Sequence, residues 1–335
     1  MRAALHMIVF IGLAGALQAQ DADLLFAGRS TLLLDPSRAG FQPGIGATLI
    51  HQDHWLQMPD GWRTDLLAVE WCGRNSRKQV DSWFGLGIMA ARDRHGNVGS
   101  RFSTAGLMPA MHLRSGHRSF LSAGLEVRWV NDLIGDGSGA WASQYDGSRY
   151  DASIISGEAW NTDAQTWIEA RAGLSWTLKQ NAESRLRRER DVLVIGIAAD
   201  HLGQILLDDS SAPTSPVPMR FTAYALGEAP HEIWDNGFFA GELIGHLQGP
   251  FHSARFNIYA GKHLWNTSQE QGGPMPIGFK VGLGYRYQDA LLVNAAIDIG
   301  NLTFGLGYGW AVINRNTMAA GRRSFEMMVQ FRTGS

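Results

Sequence analysis

Trp167-Ile168-Glu169-Ala170-Arg171-Ala172-Gly173-Leu174-Ser175-Trp176-Thr177-Leu178 decides how this chain is read. Ile168, Ala170, Ala172, Leu174, Trp176 and Leu178 fall on one side. Glu169, Arg171, Gly173, Ser175 and Thr177 fall on the other, with Trp167. Side chains of a strand point alternately to its two faces, so the stretch is a strand with one apolar and one polar face. It is also long, where an ordinary globular strand runs about 5–6 residues. Long strands of this kind, oily outside and polar inside, are what a transmembrane β-barrel requires.

The same alternation recurs on both sides of this stretch. Earlier strands are expected over Pro43–Leu56, Arg63–Cys72, Ser82–Asp93, Arg101–Leu113 and Ser119–Val130. Later ones are expected over Asp191–Leu202, Pro218–Gly227, Gly237–Leu247, Ser253–Leu264, Ile277–Gln288, Ala290–Ile299, Leu302–Trp310 and Ser324–Arg332. With the quoted strand this makes an all-β, antiparallel transmembrane barrel of about 14 strands, an even number as single-chain bacterial barrels have. Short turns belong on the periplasmic side and longer loops outside. The loops Asn131–Asp163, Gly203–Val217 and Ala311–Arg323 obey this, but Lys179–Arg190 and Trp265–Pro276 are long for the periplasmic side. A mis-split strand is the preferred explanation. The other is that something docks on that face.

At the head of the chain, Arg2 precedes an apolar run that ends in Gln18-Ala19-Gln20. This pattern is a secretory signal peptide over residues 1–19, cut after Ala19; a retained helix is the alternative. Residues 20–42 form a leader rich in leucine, with two placements open to it: a small plug in the barrel mouth or a loosely packed periplasmic segment. The barrel proper occupies 43–335. No later window approaches the ~20 apolar residues of a membrane helix. The near-neutral net charge of −2 is that of many soluble proteins, but a polar lumen hides a barrel in such averages. The 40 glycines suit close approach of walls, and the 12 tryptophans suit a membrane–water boundary. Cys72 is the sole cysteine, which excludes an intrachain disulfide and a cysteine metal cluster.

Candidate sites are weak throughout. His51 and Asp53 share one strand face and His54 takes the other, so they do not converge as three metal ligands must. They read as polar lumen or rim residues. Asp132, Asp136, Gly137 and Gly139 lack the spacing of a calcium loop and read as a turn. Asp208-Asp209-Ser210-Ser211 fixes no catalytic geometry, and no Gly-x-Ser-x-Gly elbow occurs. Arg185, Arg187, Arg188 and Arg190 form a basic turn, either simply solvated or facing an acidic partner or phospholipid headgroups. No catalytic, cofactor-binding or metal-binding residue is therefore expected. The wet faces carry Glu126, Arg128, Glu169, Arg171, Lys280, Arg286, Asp298, Glu326 and Arg332. Mixed signs imply charge pairs across neighbouring strands and a self-neutralised lumen rather than an ion-selective pore.

Asp35-Pro36-Ser37-Arg38-Ala39-Gly40 resembles the N-P-A-x-A-G signature near the mature N-terminus of the PorP/SprF family of type IX secretion system membrane proteins, with Asp35 for Asn and Ser37 for Ala. In His51-Gln52-Asp53-His54-Trp55, Trp55 matches that family's R-x-Q-W-like strand while His51 and Asp53 depart from it. Trp141-Ala142-Ser143-Gln144-Tyr145-Asp146 resembles the loop ahead of its central strands. Leu302 to Tyr308 is similar to its l-x-i-G-y-s-Y-D strand. Gly321 with Ser324-Phe325-Glu326 is similar to its terminal G-x-x-H-E-i pattern, with Phe325 in place of His. The resemblance implies a non-enzymatic barrel of the bacterial outer membrane, working with the type IX secretion and gliding machinery. Implied partners are outer-membrane lipid, periplasmic ring or translocon subunits, and the C-terminal domains of secreted adhesins; no nucleic acid and no cofactor are expected. The competing reading is a passive channel for hydrophobic or small solutes, similar in build to fatty-acid transporters. A membrane enzyme stands third, because no convergent catalytic set is visible.

Overall fold

The computed structural model describes residues 24–56, 61–74, 81–96, 99–133, 135, 141–155, 157, 164–179, 191–207, 217–231, 236–264, 277–312 and 322–333. Its strands are β1 (Ile45–His54), β2 (Trp62–Cys72), β3 (Ser82–His95), β4 (Ser100–Arg114), β5 (Ser119–Leu133), β6 (Gln165–Lys179), β7 (Asp191–Asp200), β8 (Gln204–Leu206), β9 (Arg220–His231), β10 (Gly237–Gln248), β11 (Phe251–His263), β12 (Ile277–Arg286), β13 (Ala290–Ile299), β14 (Leu302–Ala311) and β15 (Arg323–Arg332). Apart from β8, each strand pairs antiparallel with its neighbours in the chain, and β1 pairs with β15. The sheet closes on itself as a 14-strand antiparallel barrel with β8 as an extra piece.

Alternation creates the wall. Along β6, Glu169, Arg171, Ser175 and Thr177 are buried, and between them Ile168, Ala170, Leu174 and Trp176 turn outward. Outward-facing Leu125 and Val127 are each 60% exposed, an arrangement unfavourable in water and satisfied in hydrocarbon. Closure also leaves no unpaired sheet edge within the bilayer. Strands β13 and β14 are joined by Gly300-Asn301 alone, and Gly300 supplies the positive φ of +61° that such a tight hairpin demands.

β8 was not expected. β6 pairs with β7 through Ala172↔Ala199, and unbroken pairing would set Glu169 opposite Leu202; instead Glu169 stands opposite Gln204, so the register has slipped by two. The slip surrounds His201, whose φ of +58° throws a kink into the strand. β7 and β8 are thus one wall strand interrupted by a bulge.

The strand count settles the loop irregularity. The strand ends joined by links 180–190 and 264–276, those of β6 with β7 and β11 with β12, are at the same end as the start of β1 and the end of β15. A mis-split strand is not the cause, and the extra length at that end is real.

Residues 24–41 lie inside the barrel. A short helix, α1 (Thr31–Leu34), is followed by a 3-10 turn at Pro36–Arg38. Leu24, Phe26, Leu32 and Ala39 pack in one cluster with wall residues Ile50, Leu66, Met89, Met108 and Met328. Phe41 packs with Cys72, Trp83 and Phe120. The signal-peptide reading of residues 1–19 falls outside the described residues.

Candidate functional site

The lumen is a filled site, built where the N-terminal segment meets the wall. Gly124 of β5 and Gly173 of β6 stand directly opposite each other. A Cβ on Gly124 would strike the Pro36 backbone, and one on Gly173 would strike the Asp35 carboxylate. Only glycines leave a floor flat enough for the 3-10 turn. On that floor the Asp35 carboxylate accepts from the Ser37 amide at 2.7 Å and from the Tyr224 hydroxyl at 2.9 Å. Ser37 Oγ lies 2.7 Å from Ser175 Oγ, and the Arg38 guanidinium donates to Thr177 Oγ1 at 2.6 Å. Burial pushes the Asp35 carboxyl above the usual carboxylate range, opposed by its hydrogen bonds to Ser37 and Tyr224 and by the charge of Arg38.

Wall groups also catch the backbone on either side of this turn. Trp83 Nε1 donates to the Gly40 carbonyl at 3.2 Å, and the Gly40 amide donates to Glu70 at 3.0 Å. At the other end Glu326 accepts from the amides of Leu25 at 2.5 Å and Phe26 at 2.9 Å, and from Gln52 Nε2 at 2.9 Å. Arg255 donates to the Leu24 carbonyl. The segment's backbone groups, cut off from water, are thus met by side chains of the wall, as buried backbone requires.

All the charges assigned to wet faces point inward. Glu126 is register partner to Arg171, and Arg128 to Glu169. Arg171 donates to Glu126 at 2.7 Å, to Asp200, and to the Leu33 carbonyl at 2.8 Å. Arg128 bridges Glu126 at 3.1 Å and Glu169 at 3.2 Å, and His201 Nδ1 lies 2.7 Å from Glu169. Elsewhere Arg332 pairs with Glu70, Arg29 with Asp298 at 3.7 Å, Arg286 with Asp289 at 3.0 Å, and the Lys280 ammonium sits 4.2 Å over the Tyr259 ring. Sequence parity alone finds the wall pairs. It misses His201, which reaches Glu169 only because of the bulge, and passes over Asp200, whose inward parity on β7 sets it opposite Arg171 in the regular register. It also passes over Glu242, which accepts from Asn257 at 3.0 Å and Tyr259 at 3.1 Å, although its inward parity on β10 was there to be read.

The mouth at the end where β1 starts is basic and aromatic. Arg38 lies 4.2 Å and Lys179 5.0 Å from the Phe41 ring, Arg74 lies 4.8 Å from Trp83, and Arg114 lies 5.6 Å from Phe120. Cation–ring contacts help hold these heads in place. Cys72 is buried beside them as a packed residue.

Of the candidate ligands, His54 faces the lumen, whereas His51 and Asp53 face outward at the opposite rim. His51 contacts Asp65 at 2.6 Å and Asp53 at 3.3 Å, and Arg63 pairs with Asp53 at 2.9 Å. They begin a polar band on the outer wall. Leu49, Leu67, Ala90, Ala105 and Trp129 form one apolar row across β1–β5; the next outward row is His51, Asp65, Arg92, Ser103 and Asn131; beyond it come Asp53, Arg63, Arg94 and Arg101. Among the described residues no group of three His, Cys, Asp or Glu could hold a metal. Asp132 is half-buried at the end of β5. Asp136, Gly137, Gly139, the run 208–211 and the arginines at 185, 187, 188 and 190 lie outside the described residues. In the loop after β5, Gln144 donates to the Ile154 carbonyl at 2.9 Å, and Asp146 receives the amides of Ser148 and Arg149.

Among solved structures, the chain is similar to the CymD monoaromatic hydrocarbon channel (12% identity, 91% of this chain and 93% of that one, TM-score 0.49). It is also similar to a Pseudomonas aeruginosa FadL homologue (9% identity, 90% and 93%, TM-score 0.42) and to BamA from Haemophilus ducreyi (8% identity, 86% and 69%, TM-score 0.41). At such distances the likeness is one of barrel build and says nothing of cargo. Curated proteins give no match. The family model for type IX secretion system membrane protein PorP/SprF matches residues 17–331. That match spans the plug, the glycine floor and every wall strand, and with the closed lipid-facing barrel it means that this chain belongs to the PorP/SprF family of type IX secretion system membrane proteins, as a β-barrel of the bacterial outer membrane.

Proposed function

We propose that the protein is a closed, non-enzymatic docking component of the type IX secretion and gliding machinery, binding secreted surface proteins or periplasmic partner subunits at the end where β1 starts and β15 finishes. One observation carries this reading: mid-lumen side chains Ile50, Gln52, Glu126, Arg171, Asn257 and Asn294 are all excluded from solvent, packed against one another and the N-terminal segment. A barrel so filled offers surfaces rather than a path, which tells against the passive-channel reading. The surface it offers on that side has links longer than wall turns need, at 180–190 and 264–276, and the half-buried guanidinium groups of Arg74 and Arg114 at its mouth. Such a mouth suits an acidic segment of a partner.

Purification from native outer membranes tests this. The expected result is co-purification with other secretion subunits or with a secreted adhesin, and loss of surface adhesin when the gene is deleted. Intact secretion with loss of solute uptake would instead establish the channel reading.

A further inference from the structure

We propose that the outer wall of β2–β4 binds a phosphorylated glycolipid of the outer leaflet through Arg92, Arg94 and Arg101. Arg63, Arg94 and Arg101 are consecutive register partners on three adjacent strands. Like charges placed directly opposite across a sheet repel. Arg63 is relieved by Asp53 at 2.9 Å, and the remaining carboxylate of the band, Asp65, is engaged by His51 at 2.6 Å. Arg94 and Arg101 have no acidic partner among the described residues. Arg92, in the row nearer the membrane and half-buried, has an Nε shielded from solvent without a hydrogen-bond acceptor. Four arginines against two aspartates leave this band two positive charges in surplus.

The position of the band selects the ligand. Ala90 and Ala105 belong to the last apolar row, and Arg92 and Arg94 follow two and four residues further along β3. At about 3.3 Å per residue the guanidinium heads stand roughly 7–13 Å beyond the hydrocarbon edge, at headgroup height. This is the rim that carries the longest link, between β5 and β6, and therefore the outer leaflet. Planar guanidinium groups in a row match the oxygens of a phosphate monoester bidentately. A lipid whose acyl chains lie on Leu67, Ala90 and Ala105 would bring its phosphate to these donors, so the surface fits a membrane lipid better than a soluble anion.

Native mass spectrometry of the full-length protein, incubated in detergent with diphosphoryl lipid A or its dephosphorylated form, tests the proposal. The wild type should retain the phosphorylated form preferentially. Arg94→Gln and Arg101→Gln should each lower retention about fivefold, while Arg149→Gln, in an exposed loop, should leave it unchanged. Arg92→Gln serves as an independent variant, and unchanged heat-modifiable gel mobility verifies folding. Equal retention by wild type and a variant carrying both Arg94→Gln and Arg101→Gln overturns the proposal. So does equal retention of the dephosphorylated lipid, or complete displacement of the lipid by millimolar inorganic phosphate, which would mark a simple anion site.

Discussion

Gly124 and Gly173 face each other across the β5–β6 ladder, and the Asp35–Ser37 turn rests on the bare patch they leave. This contact gives the chain's smallest wall residues a purpose. Replacing either glycine with valine should cost about 1–3 kcal/mol of packing and lift the turn from its seat while the barrel persists. Cys72 is a built-in reporter, because it is the sole cysteine and is buried against the plug's Phe41. Maleimide labelling of folded protein should be slow in the wild type and at least tenfold faster in Gly124→Val. An unchanged rate would mean that the glycines do not seat the turn.

Arg171 joins wall and plug, since its guanidinium meets Glu126, Asp200 and the Leu33 carbonyl. Arg171→Met leaves Asp200 buried without its cation and Glu126 with Arg128 alone, at a cost of about 3–5 kcal/mol. The urea midpoint of the refolded barrel should fall accordingly. Adding Asp200→Asn should restore part of the loss, because the stranded charge is then gone. A shift below about 1 kcal/mol would show that this part of the lumen is wet.

Asp35 predicts a pH dependence. Its folded-state pKa is raised by burial, so the fold favours the protonated form. Its contribution is complete below the unfolded value of about 3.9 and is lost as pH rises through the folded value. Plug anchoring should therefore weaken from acid toward neutral pH, seen as faster Cys72 labelling once the intrinsic thiol chemistry is corrected for. Asp35→Asn keeps an acceptor for the Ser37 amide and removes the buried charge. It should flatten this dependence and be at least as stable as wild type at neutral pH; a strong loss of stability at that pH would contradict the assignment.

Alternation made the wall legible because lipid and a polar lumen impose opposite demands on successive residues. Parity places Glu126 and Arg171 on the lumen face of neighbouring strands, and the register then sets them opposite each other. The β7–β8 bulge could not be read from parity, since nothing in Asp200-His201-Leu202-Gly203 announces a left-handed histidine. Parity also fails to give phase where both faces are mixed: β1 points Ile50 inward and His51 and Asp53 outward. The leucines at 24, 25 and 32–34 signal burial without saying against what. Glu326 shows why: its partners, the amides of Leu25 and Phe26, lie some three hundred positions away in sequence.

Planar-bilayer recording tests the central claim most directly. The purified mature barrel should be electrically silent, and a variant lacking residues 24–41 should show stepwise currents from an emptied lumen. A large steady current through the intact protein would contradict a filled barrel and return the chain to the class of open channels.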